Sequence, residues 1–168
     1  MIRHTLAALL ILIVGAGGAG IAHAEGLGVT RSEAVAFFGR QNLTLVPAGT
    51  VDGVERWMSA DGQMVLVELL GPEDDLAAVG YSAFYYGRDR PNLNISAERD
   101  QLEKSLVASH DLVAFVVPGW DLYGLWATLA LQESLAGKTS TITVQGKTVS
   151  LVWDRLFGAI RLRIEGEG

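Results

Sequence analysis

Apolar positions in this chain follow two rhythms, and an unbroken apolar block precedes both. Near the C-terminus Ile160, Leu162 and Ile164 alternate with Arg161, Arg163 and Glu165, the period-2 signature of a strand with one face on a core and one in water. The same alternation runs from Gln63 to Leu70, with Val65, Val67 and Leu69 on one side and Met64, Leu66 and Glu68 on the other. From about Asn92 the period changes. Ile95, Leu102, Leu106, Val113 and Val117 form a helical stripe, interrupted by polar Ser109 and stopped at Pro118-Gly119. A second helix is predicted from Asp121 to about Ala136, with Leu122, Leu125, Trp126, Leu129 and Ala130 inward and Gly137 closing it. An earlier helix follows the capping box Thr30-Arg31-Ser32-Glu33 and runs from Ala34 to about Arg40, its apolar face made of Ala34, Val35, Phe37 and Phe38.

Further strands are predicted from Leu43 onward, at Val54–Ser59, Leu76–Tyr86, Thr139–Gln145, Thr148–Trp153 and Leu156–Ile164, punctuated by turns at Asp52-Gly53, Asp61-Gly62 and Gln145-Gly146-Lys147. The order is one helix, about four strands, two helices and three strands. Turns this tight predict a mostly antiparallel sheet with helices packed on one face, an α+β fold. No composition shift or linker marks a boundary after residue 25, so residues 25–168 are expected to form a single globular domain.

The apolar block has the layout of a secretory signal peptide. Arg3 supplies the positive end, Leu6 to Val14 the apolar core, and Ala22-His23-Ala24 an A-x-A site with cleavage expected before Glu25. The alternative is an uncleaved membrane anchor, since Thr5 to Ala22 approaches the ~20 residues of a spanning helix. Four glycines between positions 15 and 20 argue against it. Gly15, Gly17 and Gly20 also spell G-x-G-x-x-G, but two more glycines, Gly26 and Gly28, stand where the following helix of a dinucleotide site should run.

Charge narrows the partners. The chain carries a net charge of −6, and loss of Arg3 with the leader leaves 12 Lys and Arg against 19 Asp and Glu. That balance opposes nucleic acid, whose phosphates require clustered cations, and opposes anionic lipid surfaces. The membrane enters only through the leader, if it is uncleaved. Absence of cysteine excludes a disulfide framework and a lipoprotein anchor, and fits a periplasmic or secreted bacterial protein.

The candidate chemistry is thin, and the sequence assigns no catalytic, cofactor or metal residue. His4 and His23 lie in the leader, so His110 alone remains. It sits mid-helix between Ser109 and Asp111, which point about 100° away on either side, so a hydrolytic triad is not expected there. Glu73-Asp74-Asp75 lacks the alternating acids of a calcium loop and reads as a solvated turn. Glu68 interrupts an apolar strand and is expected to face solvent or to pair across strands, for example with Arg56. Tyr81, Tyr85 and Tyr86 are the aromatic residues best placed for a binding surface.

These readings point to an exported, non-enzymatic binding or interaction domain without a cofactor, whose partner is a protein or a small apolar ligand. Two alternatives stand beside it. One is a carrier or sensor that holds an apolar molecule between sheet and helix, near Leu106, Val113, Tyr81 and Trp126. The other is a carboxylate-dependent hydrolase in which Glu68 meets Glu103 or Glu133.

Overall fold

The computed structural model describes residues 26–51, 54–59, 65–84, 95–134, 136–154 and 158–167, the side chains of 51, 54, 59, 95–99, 101 and 102 excepted. The leader with its glycine motif, both Asp-Gly turns, Tyr85, Tyr86 and the connector 87–91 lie outside the described residues.

Helix α1 spans Arg31–Arg40. Its capping box forms as the sequence spells it: the Glu33 amide donates to Thr30 Oγ1 at 3.2 Å, and the Thr30 amide donates to the Glu33 carboxylate at 2.9 Å. Four strands follow, β1 (Leu45–Val51), β2 (Val54–Ser59), β3 (Val65–Leu70) and β4 (Ala78–Phe84). Two helices, α2 (Ile95–Val116) and α3 (Tyr123–Ser134), precede β5 (Ser140–Val144), β6 (Lys147–Asp154) and β7 (Ala159–Gly166). All seven strands join one antiparallel sheet in the order β1-β2-β3-β4-β7-β6-β5. The long-range step is β4 against β7, where Tyr81 lies opposite Leu162 and Val79 opposite Ile164.

Register sorts the side chains. Trp57, Val67, Tyr81, Leu162, Leu151 and Ser140 form one row across six strands on the helix-covered side. Phe38 of α1, Leu112, Val113 and Val116 of α2, and Tyr123, Ala127 and Ala130 of α3 complete the core above them. On the other face a second row runs Gly49, Arg56, Glu68, Gly80, Arg163, Ser150 and Thr141. Glu68 sits here and pairs with Arg56 at 3.2 Å. Its side chain lies over Gly80, where a Cβ would come within 3.3 Å of it, so the smallest residue makes room for the ion pair.

The acidic loop after β3 serves the fold. Asp75 Oδ1 accepts the Gly28 amide at 2.8 Å, Glu73 holds Arg31 at 2.9 Å, and across the same junction the Leu27 amide donates to the Leu76 carbonyl while the Leu76 amide donates to the Val29 carbonyl. Arg31 also reaches Glu55 of β2 at 2.7 Å. The loop thereby fixes the segment that leads into α1.

One helix is turned relative to the sequence reading, and the buried face of another is broader than its apolar stripe. In α3, Leu122, Leu125 and Leu129 face solvent at 66%, 65% and 53% exposure, while Tyr123, Ala127, Ala130 and Ser134 face the sheet. This helix is apolar on nearly every side, so periodicity cannot orient it. Small alanines let it sit low on β5 and β6, and the Tyr123 hydroxyl finds a partner only on the inner side. In α2 the expected stripe holds at Val113 and at Val117 just past its end, both buried, but the buried face also takes in Ser105, Ser109, Leu112 and Val116, and Leu106 is only half-buried. Ser109, an interruption of the apolar stripe by sequence, belongs to the core because it carries Tyr123.

Candidate functional site

The concave feature that stands out among the described residues is a groove of about 560 Å³ between the end of α1, the β3–β4 edge of the core and the first half of α2. Leu43, Val65 and Ala108 give it apolar walls, Tyr81 and Ser105 a polar spot in the floor, and Gln41, Asn42, Asp100, Glu103 and Lys104 its polar lining. Its volume falls in the ordinary range for a small-molecule site.

Local structure accounts for each wall. Asn42 closes α1 with φ of 58°, a left-handed conformation that asparagine tolerates, and this turns Leu43 down into the core. Gln41 donates to Asp111 Oδ2 at 3.0 Å, tying the end of α1 to α2 and holding the groove at its width. Tyr81 stands on β4, stacked on Phe38 at a ring separation of 6.1 Å and hydrogen-bonded to Ser105. Burial pushes its phenol up to about 12, so the hydroxyl stays protonated at any physiological pH. One α-helical turn further along α2, Ser109 accepts from Tyr123 at 3.1 Å and donates to the Leu106 carbonyl at 2.8 Å. Burial likewise pushes Tyr123 up to about 12. The two serines, spaced i and i+4, thus anchor one tyrosine from the sheet and one from α3.

Of the residues singled out from sequence, Tyr81 is 2% exposed and reaches the groove from below, while Tyr85 and Tyr86 lie outside the described residues. Leu106, Val113 and Trp126 do not line this groove with Tyr81. Trp126 packs instead against Trp120 and Tyr123 at the α2–α3 junction. Sequence reasoning missed Gln41, Asn42, Lys104 and Ser105. Their only sequence signal was position, at a helix end and on the polar side of a stripe.

The other candidates fall apart in space. Glu68 lies on the far sheet face, Glu103 in the groove, and Glu133 beside Ser140 of β5, to which it is hydrogen-bonded. His110 is exposed, with Nδ1 at 3.6 Å from Asp111 Oδ1, closer than the roughly 100° between neighbouring helix positions suggested. Ser109 is turned into the core, and Asp111 is held by Gln41, so the three do not form a relay. No group of three or more metal-ligating side chains occurs among the described residues, and no helix among them is long and apolar enough to cross a membrane. No protein-family profile, curated protein or solved structure matches the chain.

Proposed function

We propose that this chain is an exported, non-enzymatic binding domain that takes a small, largely apolar ligand in the groove between α1, β4 and α2. The groove itself carries the reading. Its walls are apolar, its floor offers the neutral Tyr81–Ser105 pair, and its polar lining holds two carboxylates against one ammonium, from Asp100, Glu103 and Lys104. Such a lining disfavours anionic head groups and suits a neutral or cationic amphiphile, apolar end inward. Export rests on the leader pattern of residues 1–24.

A neutral solvatochromic dye, Nile red, tests the site. Saturable binding with a blue-shifted emission is expected for the unaltered chain. Ala108→Trp, which fills the groove from α2, should abolish it. Leu125→Ser, which removes exposed apolar surface elsewhere, should leave it intact. Dye binding that ignores Ala108→Trp but is lost in Leu125→Ser would place the apolar site on α3 and sink the groove. Native mass spectrometry of the exported chain adds an independent reading, because a retained small-molecule adduct that Ala108→Trp removes identifies the natural ligand by mass.

A further inference from the structure

The two edges of the sheet are built differently. At the β1 edge Pro47 removes a backbone donor, and the register slips between Pro47 and Gly49, two devices that blunt strand-to-strand association. At the β5 edge neither device is present. The strand reads Ser-Thr-Ile-Thr-Val, with no proline, no bulge in its pairing with β6 and no charge, on a molecule of net charge −6.

The hairpin fixes which backbone groups this edge offers. Gln145 and Gly146 form a two-residue turn with φ of 53° and 69°, so Val144 and Lys147 are the hydrogen-bonded pair that flanks it. By alternation Ile142 and Ser140 also bond inward to β6, and the N–H and C=O groups of Thr141 and Thr143 point away from the sheet.

We infer that β5 is a homodimer interface, in which the strand pairs antiparallel with β5 of a second copy about a two-fold axis at Ile142. This register is self-complementary, as an isologous interface requires. Thr141 meets the mate's Thr143 in two hydrogen-bonded pairs, and Ile142 meets Ile142 on the helix side. No ionisable side chain lies on the strand, so two acidic molecules meet there without charge opposed to charge. Five residues of strand pairing are small beside the roughly 800 Å² per partner of a stable interface, and α3 supplies the remainder. It packs over β5 and β6, and continuing the sheet places its mate on the same face. With strands about 4.8 Å apart the two helices stand roughly 12 Å from each other. That gap is one that leucine-sized side chains close, and it gives the outward apolar surface of Leu122, Leu125 and Leu129 an occupant.

Sedimentation velocity on the full chain over a wide concentration range, with amide hydrogen exchange on the same sample, tests the interface. A dimer is expected, with the Thr141 and Thr143 amides protected although neither bonds to β6. Thr143→Pro deletes an outward donor while sparing every β5–β6 bond, and should give a monomer with unchanged circular dichroism. Thr50→Pro at the opposite edge should leave the dimer. Should Thr143→Pro fold poorly, Thr141→Lys supplies an edge charge to the same end. A chain monomeric at all concentrations, fast exchange at Thr141 and Thr143, or a dimer that survives both β5 variants would overturn the inference.

Discussion

Tyr81 and Tyr123 are each set by one serine, and the pairing has a measurable consequence. Both phenols are raised from 10.0 to about 12 by burial, so the folded state holds protons that the unfolded chain releases above pH 10. Their contribution is therefore intact below pH 10 and is lost as pH rises through about 12, on the order of 3 kcal/mol each. Urea unfolding at stepped alkaline pH should show stability falling from pH 10 upward, and Tyr81 and Tyr123 should ionise late in the ultraviolet titration. A stability curve flat across that interval would contradict the assignment. Tyr123→Phe removes one buried hydrogen bond, yet Ser109 keeps the Leu106 carbonyl. A loss of about 1 kcal/mol is expected by denaturant titration. Gly80→Ala should cost about as much, since the new methyl presses on Glu68 at 3.3 Å and strains its contact with Arg56. Ser105 and Ser109 show why such sites were not legible in the sequence. A serine beside or inside an apolar stripe reads as solvated or as a defect until the partner arrives from another element.

Among the elements, the start of α1 was legible from its cap, whereas the inward side of α3 was read correctly at Ala130 and wrongly at its three leucines. The Thr30 and Glu33 cap is a local contact, complete within four residues, so the sequence states it in full. Thr30→Ala should lower stability by about 1 kcal/mol, read from the thermal or denaturant midpoint. In α3 leucines and alanines surround the axis, and Asp121 and Gly137 bracket the helix, which occupies Tyr123–Ser134 between them, but nothing local sets its inward side. Leu125→Lys is expected to shift monomer stability by no more than about 0.5 kcal/mol, the range of a surface change. Ala130→Leu, on the buried side, should cost 1 kcal/mol or more because the helix cannot sit as low on β5 and β6. The opposite ranking would mean that the leucines face the sheet. The strands were legible as strands because alternation is a short-range signal. Val65, Val67 and Leu69 are buried and Leu66, Glu68 and Leu70 are half-buried, as their order along β3 implies.

The whole molecule depends on contacts between distant parts. Closing the sheet at β4–β7 joins the two β-rich blocks that flank the helices, and Ile160, Leu162 and Ile164 are fully buried by it. Leu162→Ala should cost 2–5 kcal/mol and shift the denaturant midpoint accordingly. Periodicity, caps and turn residues act over a few positions, and from them the sequence by itself determined the helices and strands, their order, the antiparallel character of the sheet and the apolar faces of β3 and β7. Nothing local encodes which strand joins which across the helical segment, which side of an all-apolar helix is wet, or where the polar residues of α2 meet a tyrosine. Those were decided by tertiary packing: β7 inserted between β4 and β6, the alanines of α3 lying against the sheet, and a groove beside α2 where Asn42 turns the chain into the core. The groove and the bare β5 edge exist only once distant segments are brought together, since a cavity and an edge are properties of how elements are arranged and no single element contains either.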